Sequence, residues 1–312
     1  MVGVDVGGTN IGVGRVHDDH DVSDRAKEPT PESVDGLVDQ VGRLVDGIGS
    51  VDRVGLGIPG IIRENRVVQA PNLVGWNDRT DVVALLQDRL GVPVHLVNDA
   101  QAGVLGEWVA GAAKGDSFVL GVWLGTGVGG GLVLDGRSYD GVGGGSGELG
   151  HVVVRPDGAR CGCGRRGCVE AYAGRRMMTG SARAMAAAGR RTRLFEIQAA
   201  KGKAKATSGV WADALAEGDE VATEILAEAV DALGLVVAST LNLLDLDRVV
   251  VGGGMAGKLG QDLADRIAEA ARPHAVRPIG RRQVVVAQLD DDSGIVGAAH
   301  VARTAPVGTL DP

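Results

Sequence analysis

Cys161, Cys163 and Cys168 are the chain's three cysteines, and all fall in one run, C-G-C-G-R-R-G-C. An odd set packed this tightly is a poor disulfide framework and a good metal site. His151 lies a short way upstream and supplies a fourth ligand. Three thiolates and one imidazole make a closed tetrahedral zinc set, structural in kind, with no open position for a reacting water. The alternative is three free thiols. Glu148, in G-E-L-G-H, and Glu170, in C-V-E, flank this cluster. Two carboxylates beside a metal-fixed imidazole make a polar pocket suited to sugar hydroxyls. The plainer alternative for each glutamate is a solvated surface position.

A second group consists of glycine turns. Gly7-Gly8-Thr9 and Gly125-Thr126-Gly127 each follow a short apolar run. Glycine lets backbone N–H groups approach phosphate oxygens, and a threonine hydroxyl adds a donor. Asp5, ending the first apolar run, is placed to hold a magnesium ion through water. Either turn alone reads better as a β-hairpin; two turns, both carrying threonine, favour phosphate. The pattern G-x-G-x-x-G occurs at residues 125–130 and 252–257. The first runs into a strand, and the second lacks the acidic-ended strand ~20 residues on that dinucleotide binding needs. These glycines read better as backbone closing over a nucleotide's base or ribose. Asn98-Asp99 ends the run VHLV and precedes a helical pattern. A carboxylate there can take the proton of a hydroxyl that attacks a phosphoryl group. From these residues alone a helix cap is the better reading, and one residue can do both.

The elements that must hold these residues follow from periodicity. Residues 2–16 read as two strands around a glycine turn, and 118–135 read the same way. The two segments align Gly3 with Gly121, Gly7 with Gly125 and Gly12 with Gly130, a weak internal repeat. Apolar positions across 32–48 have helical spacing, with Thr30-Pro31 as the expected start. Residues 53–58, 94–97, 248–254 and 283–289 read as strands, as does VVV at 152–154. Residues 100–113, 174–189, 210–245, 258–271 and 293–303 read as helices. The run 201–208 reads as a solvated loop, and 304–312 as a flexible tail. The expected organisation is an N-terminal α/β lobe over 1–110 and a C-terminal α/β lobe over 111–292 carrying the metal loop. The last helix is expected to pack back on the first lobe.

The 312 residues suffice for two lobes, with 44% apolar side chains but only 3% aromatic, so the cores must be aliphatic. A formal charge of -8 excludes a cationic nucleic-acid surface. No apolar run approaches ~18 residues, so no membrane span is expected. The opening MVGVDVGGTN is not a secretory leader, and a cytoplasmic location is expected.

In order along the chain stand DVGGTN (5–10), GIPG (57–60), APNLVGW (70–76), VNDA (97–100), LGTGVGGG (124–131), GELGH (147–151), CGCGRRGCVEAYA (161–173), VVVGGG (249–254) and DDDSGIVGAA (290–299). Together they resemble the ROK sugar kinases, most closely their glucokinases. The resemblance implies an α/β, two-lobed, actin-like and ribonuclease-H-like ATPase fold with a cleft between the lobes. It implies transfer of phosphate from ATP, with magnesium, to the 6-hydroxyl of glucose, with Asp99 as general base. Gly60, Asn72, Asn98, Asp99, Glu148, His151 and Glu170 would bind the hexose. Asp5, Gly7, Gly8, Thr9, Asn10, Thr126, Gly127, Gly253 and Gly254 would bind ATP. Zinc would sit on His151, Cys161, Cys163 and Cys168, with the other nitrogen of His151 facing the sugar. A homodimer or homotetramer is implied. Family repressors carry a DNA-binding domain before the first glycine turn; that turn starts here at Gly7, so no nucleic-acid partner is expected.

Asn10 and Gln101 depart from the family pattern, standing where lysine and asparagine are frequent. Mannose, N-acetylmannosamine or fructose as acceptor, and polyphosphate as donor, stay open at this point. So does a non-catalytic sugar sensor. A glycosidase built on Glu148 and Glu170 leaves the phosphate-type turns without a use. A dehydrogenase built on Gly252–Gly257 leaves most of the chain without one.

Overall fold

The computed structural model describes residues 1–69, 80–280 and 283–306. The chain begins with β1 (Val2–Val6), β2 (Asn10–Val16) and β3 (Val22–Pro29), then α1 (Val34–Ile48) and β4 (Val54–Ile58). A small hairpin follows, β5 (Ile61–Arg63) and β6 (Arg66–Gln69), then α2 (Val82–Leu90), β7 (Val94–Asn98) and α3 (Asp99–Ala110). A second series starts with β8 (Val119–Leu124), β9 (Val128–Leu134) and β10 (Arg137–Ser138). Helices α4 (Glu170–Ala173), α5 (Arg175–Ala187), α6 (Leu194–Ala200), α7 (Ser208–Ala216) and α8 (Glu220–Leu244) come next. The chain closes with β11 (Arg248–Gly252), α9 (Gly253–Leu259), α10 (Gln261–Ala271), β12 (Val284–Val286) and α11 (Asp292–Thr304).

Two five-stranded sheets result, ordered β3-β2-β1-β4-β7 and β10-β9-β8-β11-β12. The orders correspond strand for strand: three sequential strands, then two that arrive by crossovers. This is the structural content of the weak repeat at Gly3 and Gly121. In the first sheet β1 pairs antiparallel with β2 and parallel with β4, and β4 pairs parallel with β7. VGVDV and VGLGI are buried almost throughout, as continuous apolar runs in parallel sheets are. The chain divides into two compact units, one of Met1–Gly121, Gly131–Gly147 and Gln288–Pro312, the other of Val122–Gly130 and Glu148–Ala287.

In the first unit the apolar stripe of α1 (Leu37, Val41, Leu44, Val45) packs into the core of the first sheet. The expected start of α1 is corrected. Ser33, not Thr30, is the N-cap, its Oγ accepting from Gly36 N at 3.1 Å. Helix α11 packs on the sheet at backbone distance. A Cβ placed on Gly3 would lie 1.9 Å from the Ile295 carbonyl oxygen, and one on Gly55 1.8 Å from that of Ala298. Only glycine permits this approach. Fully buried Glu107 fixes the entry to α11. Its carboxylate accepts from Ala112 N, Gln288 N and Leu289 N at 2.8–2.9 Å and from Ser293 Oγ at 2.7 Å.

In the second unit, three expectations are corrected. VVV at 152–154 is not a strand; it makes one isolated bridge, Val153 to Cys168. The long helical pattern over 210–245 is two helices, broken at Gly218 (φ 74°) and restarted by Asp219, which accepts from Ala222 N at 2.7 Å. Helix α6 lies in a segment for which no helix was expected. Among the described residues, no helix is long and apolar enough to cross a membrane.

Candidate active site

Asp5 and the glycine turn after it are set by the β1–β2 pairing. Gly7 N donates to Asn10 O at 2.9 Å, closing the turn. Thr30 braces it from outside. Its Oγ1 donates to Gly7 O at 2.6 Å and its N–H to Thr9 O at 3.0 Å. Gly8, Thr9 and Asn10 form the exposed tip. Asp5, Gly57 and Val97 stand in register across β1, β4 and β7, so the Asp5 carboxylate faces a strand position with no side chain. Asp99 follows at the C-terminal end of β7. Burial, then the Asp99 charge and the Asp291 charge, push Asp5 up to about 7, with Lys27 opposing.

At Asn98-Asp99 the side-chain cap of the helix falls to the first residue. Asn98 caps α3: its Oδ1 accepts from Gln101 N and its Nδ2 donates to Gly60 O, both at 3.0 Å. Asp99 begins the helix, half-buried, with Oδ1 accepting from Ala100 N at 2.9 Å. Gly60 is thereby tied to the same point. Asn72 and the rest of APNLVGW lie outside the described residues. Gln101 is a staple: its Oε1 accepts from Leu132 N and its Nε2 donates to Leu132 O, both at 2.8 Å. The amide copies a β-bridge, and neighbouring Gly131 leaves the room for it.

The metal loop lies in the second unit. The ligand atoms of His151, Cys161, Cys163 and Cys168 all lie within 4.8 Å of one another. His151 Nδ1 is 3.8 Å from Cys161 Sγ, and Cys163 Sγ is 3.7 Å from Cys168 Sγ. Ligands about 2.3 Å from one centre leave neighbouring sulfurs ~3.8 Å apart in a tetrahedron, so the donor set fits zinc. Without a metal, burial pushes the Cys161 thiol up to about 12. Burial also works against ionisation at Cys163, yet hydrogen bonds from Arg165 bring it down to about 6. Arg165 Nε donates to Cys163 Sγ at 3.5 Å, placing a positive charge beside that sulfur.

The loop positions the two glutamates differently. His151 turns Nε2 away from the thiols, 3.9 Å from Glu148 Oε2, and the Glu148 carboxylate is exposed. Glu170 opens α4, with Oε1 3.7 Å from Cys161 Sγ and Oε2 accepting from Val128 N at 3.1 Å. A Cβ on Gly127 would lie 2.1 Å from Glu170 Oε2, so the Gly125-Thr126-Gly127 turn packs directly on that carboxylate. Gly125 N donates to Gly127 O, and Arg176 N to Thr126 O, both at 3.0 Å. The last glycine run meets the same strand end: Gly253 (φ 83°) sits where a Cβ would lie 2.7 Å from Leu124 O. Thus Thr126, Gly127, Gly253 and Gly254 share a neighbourhood with Glu170. Neither Thr30 nor Arg176 is a site candidate from the sequence alone: Thr30 reads there as the start of a helix, and backbone bonds such as that of Arg176 leave no mark on residue type.

The chain matches the ROK family over residues 1–305. It belongs to the ROK family. It is 35% identical to a glucokinase of Thermotoga maritima, over 97% of both chains. It is 33% identical to an N-acetylmannosamine kinase of Citrobacter koseri, over 96% of this chain and 97% of that one. Among solved structures, it is similar to a ROK family glucokinase from Streptomyces griseus in complex with glucose and AMPPNP. That match has a TM-score of 0.85 at 33% identity and covers 98% and 99% of the two chains. The fold is therefore the α/β, actin-like ATPase fold of the ROK sugar kinases.

Proposed function

We propose that this ROK protein is an ATP-dependent hexose kinase that phosphorylates the 6-hydroxyl of glucose. The observation that carries the reading is the pair of carboxylates at the C-terminal ends of β1 and β7. Asp5 and Asp99 are near enough for the charge of Asp99 to raise the pKa of Asp5. One is suited to the cation that accompanies ATP, the other to the acceptor hydroxyl. Asp99 takes the proton of the 6-hydroxyl as its oxygen attacks the γ-phosphorus. The bond to the β–γ bridging oxygen breaks, and ADP leaves. Asp5 would hold magnesium through water, and the magnesium would neutralise phosphate charge. Gly7, Gly8, Thr9 and Asn10, with Thr126, Gly127, Gly253 and Gly254, bind the nucleotide.

Asn98, Gly60 and Asn72 orient the sugar in this reading, with Glu148, Glu170 and Nε2 of His151 accepting from or donating to its hydroxyls. Zinc on His151, Cys161, Cys163 and Cys168 would cross-link the loop that carries these groups, with no open position for chemistry. A cytoplasmic dimer or tetramer belongs to the same proposal. The N-acetylmannosamine kinase relative at 33% identity supports a second reading, the same phosphoryl transfer to that sugar. A panel of glucose, mannose, N-acetylmannosamine and fructose, with the product located by phosphorus NMR, tests both. Glucose is expected to give the highest kcat/KM and glucose 6-phosphate. A clear preference for N-acetylmannosamine would replace the first reading with the second.

A further inference from the structure

Arg175 is a half-buried arginine with no acidic partner. It opens α5, and among the described residues no carboxylate lies within ion-pair distance of it. Other arginines of this unit do have one: Arg155 pairs with Glu228 at 2.7 Å and Arg190 with Glu224 at 2.9 Å. Burial alone lowers the pKa of Arg175 from its ordinary value, with no nearby charge contributing. A partly desolvated cation without a counter-charge is costly to keep, and two neutral hydroxyls do not replace an anion.

Those hydroxyls belong with the two glycine turns of the unit. Nη2 donates to Thr126 Oγ1 at 3.2 Å and Nη1 to Ser208 Oγ at 2.9 Å. Ser208 Oγ in turn lies 2.8 Å from where a Cβ on Gly254 would sit. The backbone fixes the base of the side chain, with Arg175 N donating to Gly125 O at 3.3 Å. Because Thr126 Oγ1 accepts from the guanidinium, its own hydrogen is left to donate elsewhere. No lysine or arginine occurs within Gly7–Asn10, Gly125–Gly127 or Gly252–Gly254. Those turns can offer only neutral donors.

We propose that Arg175 binds the phosphoanhydride chain of the donor, supplying the positive charge that the glycine turns lack. This rests on the reading of those turns as the ATP site. A guanidinium suits the task because it presents several donors in a fixed fork to phosphate oxygens.

Titration calorimetry on Arg175→Gln, Arg175→Lys and Arg175→Ala tests it, with MgADP, tripolyphosphate, adenosine and glucose as probes. Glutamine keeps a donor for Ser208 or Thr126 and drops the charge. The expected result for Arg175→Gln is about tenfold or greater loss of affinity for MgADP, the scale of one charged hydrogen-bonding contact. Tripolyphosphate affinity should fall in parallel if the chain alone is recognised, while adenosine and glucose affinities stay as in wild type. Lysine should recover part of the loss. The proposal is overturned if Arg175→Gln binds MgADP as wild type does while only Arg175→Ala is weakened. It is also overturned if adenosine and MgADP are weakened equally, since Arg175 is then only a staple between the turns. Wild type that turns over no hexose, yet loses MgADP on Arg175→Gln, contradicts the kinase reading and leaves this one standing. Normal hexose phosphorylation with unchanged MgADP affinity in Arg175→Gln does the reverse.

Discussion

Asp5 and Asp99 are coupled. As the proposed base Asp99 must be ionised to take a proton, and after burial its charge is the next cause that raises the pKa of Asp5. Asp99→Ala is expected to lower kcat by at least ~10²-fold, the usual scale for a lost general base. Glucose affinity should change far less, because the other groups proposed to hold the sugar remain; near-normal turnover would sink the assignment. Asp5 gives a stability test with a definite sign. Its pKa is raised from 3.8 to about 7, so between those values the folded chain keeps a proton that the unfolded chain has lost. Stability therefore falls as pH rises through that window. Asp5→Asn removes the loss, so its advantage over wild type in metal-free urea unfolding should be larger at pH 8 than at pH 5. An advantage equal at both values would contradict the shift. From sequence, Asp5 and Asp99 were visible because each ends an apolar run at a motif. Glu107 was not, because a buried glutamate has the same letter as a solvated one. Its partners, Gln288, Leu289 and Ser293, stand near the far end of the chain.

Elements were legible where their own pattern decides them. The strands at 2–16, 53–58, 94–97 and 118–135 are built mostly of apolar residues and glycine, and they form with nearly the expected bounds. β3 did not, since VSDRAKEP is an edge strand, mostly exposed, with no alternation to read. VVV at 152–154 misled in the opposite sense. Val152 and Val153 are exposed, and the backbone there follows the metal loop, with Val154 N donating to Gly167 O at 2.9 Å. Glu170 ties the thiol cluster of that loop to the Gly125-Thr126-Gly127 turn, through Cys161 Sγ and Val128 N. Cys163→Ser should therefore lose the zinc, about one per chain by elemental analysis in wild type. It should weaken hexose binding and also raise amide exchange at Gly127–Val128. Unchanged exchange there would mean the tie does not transmit. At the helix scale, Gly55→Ala should cost about 1–3 kcal/mol in unfolding free energy, the usual cost of overpacking. Its Cβ has only backbone to push against at α11. Wild-type stability would show that α11 moves freely on the sheet.

At the scale of the whole molecule, two sheets of one order account for the glycine correspondences at 3/121, 7/125 and 12/130. The family was legible because its motifs are spread over nearly the whole chain. The sugar was not, because relatives of similar identity act on different hexoses according to their names. Choice among hexoses turns on contacts at single hydroxyls, and the motif APNLVGW, which includes Asn72, lies outside the described residues. The central claim is that phosphate passes from ATP to a hexose hydroxyl. The most direct test is coupled detection of ADP with purified protein, ATP and magnesium, before and after addition of glucose. The expected result is no ADP above background with ATP alone, prompt release on addition of glucose, and loss of that release in Asp99→Ala. Release at the same rate without sugar, or none with any hexose, would contradict the account.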